Sequence, residues 1–117
     1  MKEIYIVEDD TDIRELIEFL LQAQDYKVQS FATAEAFHQQ MESGHPDLIL
    51  LDIRLPDGNG SEMCAELKAA EKTSSIPIIL MSAHIDKKSL RESCADDFVS
   101  KPFDIDELTD RIKRQVA

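Results

Sequence analysis

Six residues combine types and positions that could do chemistry. They are the acids Glu8, Asp9, Asp10 and Asp52, the hydroxyl of Ser82 and the ammonium of Lys101. Each follows closely on a short apolar run. Glu8-Asp9-Asp10 come after Ile4-Tyr5-Ile6-Val7, and Asp52 after Leu48-Ile49-Leu50-Leu51. Ser82 comes after Ile76-Pro77-Ile78-Ile79-Leu80-Met81, and Lys101 shortly after Phe98-Val99. Two like charges about 4 Å apart repel by about 4 kcal/mol at an effective dielectric of about 20, so gathered carboxylates need a cation. Hard oxygen ligands without Cys or His favour Mg²⁺. With one hydroxyl and one fixed ammonium added, the set suits a phosphoryl group: the cations neutralise its oxygens and the hydroxyl donates to one. No glycine-rich phosphate loop occurs in the sequence, which sets the usual nucleotide-binding folds aside. The acceptor is then a protein carboxylate acting as nucleophile. Taken singly, each residue has a plainer role: an acid or Ser82 caps a helix or turn, and Lys101 is a solvated charge.

The elements around these residues decide between the two. After the first run, Ile13, Leu16, Ile17, Leu20 and Leu21 recur at helical spacing, with Thr11 or Asp12 as cap. Tyr26-Lys27-Val28-Gln29 alternates like a half-exposed strand. Thr33 caps a helix that buries Ala34, Phe37 and Met41, and Gly44 and Pro46 close it. The second run is followed by a turn-rich loop, Pro56-Asp57-Gly58-Asn59-Gly60, and a helix with Met63, Cys64, Leu67 and Ala70 inward. Pro77 stands near the start of its run, where a missing N–H is tolerated. A weak helical segment spans about residues 86–93, with Leu90 its only large apolar residue, and Phe98-Val99 is a brief strand. Asp104 and Glu107 resemble a capping box before a last helix with Ile105, Leu108, Ile112 and Val116 on one face.

Strand and helix alternate throughout, which predicts an α/β fold: a doubly wound, five-stranded parallel sheet flanked by five helices. Strands one, three and four are apolar on both faces and belong in the centre; strands two and five belong at the edges. The right-handed crossover rule then favours the order 2-1-3-4-5. The winding direction changes between strands one and three, and ligands bind outside the carboxyl ends at that point. The four acids meet there, with Ser82 and Lys101 on the same edge.

Composition bounds the rest. A chain of 117 residues is one domain's worth, residues 1–117, and can bury roughly two-thirds of its unfolded surface. Twenty-four acids against 13 Lys and Arg give a net charge of −11, which opposes direct nucleic-acid binding. No apolar run nears about 18 residues and there is no signal leader, so neither membrane spanning nor secretion is expected. Cys64 and Cys94 lack metal spacing, fit a reducing cytoplasm, and are read as small hydrophobes without a redox role. His38 and His45 read as surface residues.

The sequence resembles the response-regulator receiver domain of bacterial two-component signalling. The matching residues are Ile6-Val7-Glu8-Asp9-Asp10, Leu50-Leu51-Asp52-Ile53-Arg54-Leu55-Pro56, Gly60, Met81-Ser82-Ala83, Asp96-Asp97-Phe98 and Lys101-Pro102-Phe103. The resemblance implies a flavodoxin-like fold in which Asp52 accepts a phosphoryl group from a histidine-kinase phosphohistidine. It implies Mg²⁺ bound by Asp9, Asp52 and the backbone carbonyl of Arg54, with Glu8 acting through a metal-bound water. Asp10 would start the first helix rather than bind metal. Lys101 would contact the acyl phosphate, with a cis Lys101–Pro102 peptide. Ser82 would move toward the phosphate and Phe98 would swing inward behind it. The fourth helix, fifth strand and fifth helix would form the output face, through which dimerisation on activation is a further expectation.

The partners so implied are a sensor histidine kinase or phosphotransfer protein, and a downstream protein or attached effector domain. The domain would catalyse its own phosphorylation and dephosphorylation rather than turn over a separate substrate. Three positions depart from common family usage: Cys94 where Gly is frequent, His84 where a small residue is frequent, and Phe98 in place of Tyr. Arg54 and His84 would flank the phosphate and tune dephosphorylation; the alternative is that both face solvent. A Mg²⁺-dependent aspartyl phosphatase is a second reading, but such enzymes want an acid two residues past the nucleophile, where Arg54 stands. A pseudo-receiver that only binds partners is a third, which the complete acidic set opposes.

Overall fold

The structure, a computed structural model, describes residues 1–83 and 94–117. The expected fourth helix over 86–93, and His84, lie outside the described residues. The main sheet has five parallel strands: β1 (Glu3–Val7), β2 (Lys27–Phe31), β3 (Leu48–Asp52), β6 (Ile78–Ser82) and β7 (Asp97–Ser100). Their order is β2-β1-β3-β6-β7, the predicted 2-1-3-4-5 arrangement. Four helices are described: α1 (Thr11–Ala23), α2 (Ala34–Met41), α3 (Gly60–Ala69) and α4 (Ile105–Val116), the last being the fifth of the expected series. The turn-rich loop holds an unpredicted antiparallel ribbon, β4 (Arg54–Leu55) with β5 (Gly58–Asn59).

Strand periodicity divides the core into two layers. Tyr5, Val7, Ile49, Leu51, Ile78 and Leu80 face α2 and α3, meeting Phe37, Met63, Cys64 and Leu67. Ile4, Ile6, Leu48, Leu50, Ile79, Met81 and Val99 face the other way, meeting Ile17, Leu21, Leu108 and Ile112 of α1 and α4. The central strands are buried on both faces, as their uninterrupted apolar runs require. Cutting one such Leu to Ala costs about 2–5 kcal/mol.

Local chemistry sets the helix ends. Asp10, rather than Thr11 or Asp12, caps α1, its carboxylate accepting from the Ile13 N–H at 3.1 Å. Thr33 caps α2 as expected, accepting from the Ala36 N–H at 3.1 Å. Asp57 adds a second acceptor there, taking the N–H groups of Ala34 and Glu35 at 2.8 and 3.0 Å. Asp104 caps α4 through the Asp106 and Glu107 N–H groups. Two positions counted as inward are not: Ala70 is the exposed C-cap of α3, and Ile105 is 45% exposed in the first turn of α4. Both lie at helix ends, where the chain has not yet turned fully onto the sheet. Leu16 is exposed on α1 for a different reason: it and Phe19 ride the flank of the buried Ile17–Leu21 stripe. Strand β2 is half-covered along its length instead of alternating, since helices pack beside both its faces.

Candidate functional site

The carboxyl ends of β1, β3 and β6 are level because the strand register makes them so. Val7 pairs with Leu51, and Asp52 with Met81. The residues that follow these pairs therefore share one edge. The Ile53 N–H donates to the Met81 carbonyl at 3.0 Å, and the Lys101 N–H to the Ser82 carbonyl at 2.9 Å, which continues the alignment past the strands. A cleft of about 280 Å³ opens there, lined by Glu8, Asp9, Asp52, Arg54, Ser82 and Lys101 among others. A larger hollow of about 600 Å³ lies between α2 and α3, but it lacks this convergence of acid, hydroxyl and ammonium.

Burial separates the acids. Glu8 is fully buried, Asp52 is 5% exposed, and Asp9 is exposed at the cleft mouth. One carboxylate oxygen from each of Glu8, Asp9 and Asp52 lies within 4.8 Å of the others. Asp10, committed to its helix cap, is not in this group. The Lys101 ammonium, 16% exposed, bridges the cluster, pairing with Glu8 and with Asp52 at 3.2 Å. Burial, then the neighbouring Asp52, push the Glu8 carboxyl up to about 7, while Lys101 pulls the other way. Burial alone would lower Lys101, but hydrogen bonding and charge from Glu8 and Asp52 outweigh it and raise it. Three hard oxygens around one small space, one belonging to a fully buried acid, fit a divalent cation.

Several neighbours hold this geometry. The Arg14 guanidinium donates to the Glu8 carbonyl at 2.8 Å, and the Arg54 N–H to Asp52 at 3.4 Å. The Lys101–Pro102 peptide is cis. Gly60 permits a close backbone approach: a Cβ there would stand 2.3 Å from the Asp52 carbonyl oxygen and 2.8 Å from the Ile53 Cα. Its N–H donates to the Ile53 carbonyl at 2.7 Å, so α3 begins directly against the strand end that carries Asp52. Nothing in the spacing of Arg14 marked it, since its function is to reach a backbone carbonyl across a loop. Ser82 is buried at the end of β6. Phe98 is partly buried and packs on the α3-side core, opposite Leu80 in register. The Arg54 side chain is exposed beside the cleft.

A five-stranded parallel sheet in this order, with a carboxylate cluster, hydroxyl and lysine at its switch point, is the architecture of a receiver-type fold. The chain belongs to the response regulator receiver domain family, which matches residues 4–113. It is 34% identical over 115 residues to the phosphate regulon transcriptional regulatory protein PhoB of Escherichia coli K12, covering 96% of this chain and 50% of PhoB. The chain thus spans about half the length of the curated relatives it matches. Among solved structures, the response regulator TrrA of Thermotoga maritima, in complex with Mg²⁺-BeF, is 34% identical with a TM-score of 0.85, covering 98% of this chain and 99% of that one. The receiver domain of a sensor histidine kinase from Pseudomonas aeruginosa PAO1 is 31% identical with a TM-score of 0.86, covering 98% and 97%. That structure has a magnesium ion coordinated in its active-site cleft. No helix among the described residues is long and apolar enough to cross a membrane.

Proposed function

We propose that this receiver domain takes a phosphoryl group onto Asp52 from the phosphohistidine of a sensor histidine kinase or phosphotransfer protein. An Asp52 carboxylate oxygen attacks phosphorus as the phosphorus–nitrogen bond breaks, and the imidazole leaves with the bond electrons. The observation that carries this reading is the position of Asp52. Its carboxylate is nearly buried, paired with Lys101 at 3.2 Å, and shares a small cleft with Ser82 and three further acids, two of which, Glu8 and Asp9, bring an oxygen close to its own. Glu8, Asp9 and Asp52, with the Arg54 carbonyl, would hold Mg²⁺, which supplies charge neutralisation for the phosphoryl oxygens. Lys101 stabilises the charge of the same oxygens, and Ser82 donates a hydrogen bond to one.

The product carries up to two added negative charges and three acceptor oxygens, which interact differently with Ser82 and Lys101 in alternative loop arrangements. The population shift is bounded by that difference in free energy. Phe98, on the adjacent strand, responds to the movement of Ser82. Output passes through the fifth-strand face to a downstream protein or attached effector domain in the cytoplasm. The domain catalyses its own phosphorylation and dephosphorylation and turns over no separate substrate.

The test is incubation with acetyl phosphate or beryllofluoride, with and without Mg²⁺, followed by intact mass measurement. One Mg²⁺-dependent adduct is expected, lost in Asp52→Asn. Turnover of an aryl phosphate ester would favour the phosphatase reading, and absence of both would favour a pure binding module. The exposed Arg54 side chain at the cleft mouth supports a role in limiting attack by water. Arg54→Ala is expected to shorten the phosphoprotein lifetime severalfold; an unchanged or longer lifetime removes Arg54 from that role, and His84→Ala tests the second residue.

A further inference from the structure

The ribbon of β4 and β5 pairs only two residues on each side, which is marginal by itself. It nevertheless carries a group that the site would use. The Gly60 N–H donates to the Ile53 carbonyl at 2.7 Å, one step outside the Arg54–Asn59 pair. That makes Arg54–Asn59 a non-hydrogen-bonded pair, whose N–H and carbonyl groups turn outward from the ribbon. The Arg54 N–H does so, reaching the Asp52 carboxylate at 3.4 Å. The Arg54 carbonyl leaves along the same edge, on the side of the acids.

The ribbon is anchored at both ends. At its base the Asn59 side chain accepts from the Ser61 and Glu62 N–H groups at 2.8 and 3.2 Å, which ties β5 to α3. At its tip Asp57 accepts from the Ala34 and Glu35 N–H groups at 2.8 and 3.0 Å, which ties the turn to α2. The two elements touch there: a Cβ on Gly58 would stand 3.2 Å from the Ala34 Cβ. Helix α2 already has a local cap in Thr33, which takes the Ala36 N–H at 3.1 Å. An acceptor brought from 23 and 22 residues away does more than cap, since it crosslinks the ribbon to the helix. Two charge-assisted hydrogen bonds at the positive end of a helix dipole make this clasp firm for an exposed group.

We propose that Asp57 is a positioning residue for the divalent cation. By clasping the ribbon tip to α2, it holds the Arg54 carbonyl on the cleft side for the ion that Glu8, Asp9 and Asp52 would share. This rests on the Mg²⁺ reading given above. A flexible carboxylate is drawn toward a cation by its charge. A neutral backbone carbonyl contributes fully only where the chain already aims it. Without the clasp the ribbon pivots on its Asn59 base, and binding the ion must first order it, which weakens affinity.

Mg²⁺ is titrated into the full chain at neutral pH, with affinity read by calorimetry and by amide NMR shifts. Asp57→Ala is expected to weaken Mg²⁺ binding roughly fivefold, below the loss typical of a group bonded directly to a metal ligand, although its thermal midpoint falls only slightly. Thr33→Ala takes an acceptor from the same helix start without touching the ribbon, and should leave the affinity within about twofold of the natural chain. Asp57→Asn, which keeps an acceptor oxygen, should fall between, and it serves alone if the alanine variant does not fold. The Leu55 amide, whose nitrogen is bonded to the Arg54 carbonyl carbon, should shift as Mg²⁺ is added and should need correspondingly more Mg²⁺ in Asp57→Ala. Unchanged affinity in both Asp57 variants, or an equal loss in Thr33→Ala, overturns the positioning role while leaving the Mg²⁺ site standing. A natural chain that binds no Mg²⁺, or binds it equally as Asp52→Asn, overturns the site and the positioning role together.

Discussion

Two acids beside loops of this molecule are driven in opposite directions. Glu8, at the end of β1, is fully enclosed, and its carboxyl is pushed up to about 7 by burial and then by Asp52. Asp57, at the tip of the β4–β5 ribbon, is exposed, and the N–H groups of Ala34 and Glu35 hold its carboxyl below the usual value. Both carry one unit of the same net charge of −11. One is held where ionisation is opposed and a cation is wanted; the other satisfies the orphan donors of a helix. Charge counted along a sequence has no chemical meaning until solvent and neighbours are assigned.

The comparison can be broken most sharply at Glu8. Its carboxyl binds a proton more tightly in the folded state than its ordinary value of 4.5 allows in the unfolded chain. Stability should therefore fall as pH rises from about 4.5 to about 7, by up to about 3 kcal/mol without Mg²⁺. Urea unfolding across that window should show the decline in the natural chain and a flatter profile in Glu8→Gln. Identical slopes would refute the raised value. Added Mg²⁺ should recover more stability at pH 7.5 than at pH 5, because cation and proton compete for the carboxylate. That gain should shrink in Glu8→Gln.

A second change separates the site's frame from its charge. Gly60→Ala alters no charge, but its Cβ collides with the backbone at Asp52 and Ile53. A loss of about 1–3 kcal/mol is expected, together with weaker Mg²⁺-dependent beryllofluoride binding. Full retention of binding at reduced stability would mean that β3 alone positions Asp52. The smallest effect belongs to Asp57→Ala. It should lower the thermal midpoint slightly at pH 7 by removing two acceptors from the start of α2. The direction of its shift places this contribution above the ordinary Asp value and removes it as pH falls through the depressed one. The two proteins should therefore converge in acid, and a gap that persists there would mean that packing rather than the carboxylate is responsible.

Much of this protein was legible in one dimension. The doubly apolar runs of β1, β3 and β6 identified central parallel strands, since only strands covered on both faces can omit polar residues. Strand order followed from those assignments and from crossover handedness, and it placed Glu8, Asp9, Asp52, Ser82 and Lys101 on one edge before any contact was known. Helix ends were read less well. Asp10 displaced Thr11 and Asp12 as the α1 cap, and Ala70 and Ile105 left the core, because the first and last turns of a helix are set by how the chain enters and leaves the sheet. The ribbon at Arg54–Asn59 was invisible, being only two residues wide on each side.

Two further matters were decided only by packing. The depth of Glu8 against the exposure of Asp9 depends on which side of the strand end each residue leaves. The fit of Gly60 beneath Asp52 depends on the angle at which α3 meets β3. The sequence determined which residues stand at the edge, through the two-residue period of strands and the handedness of their connections. The tertiary structure decided which of them meet water, which meet one another, and how tightly each holds its proton, because those depend on distances through space.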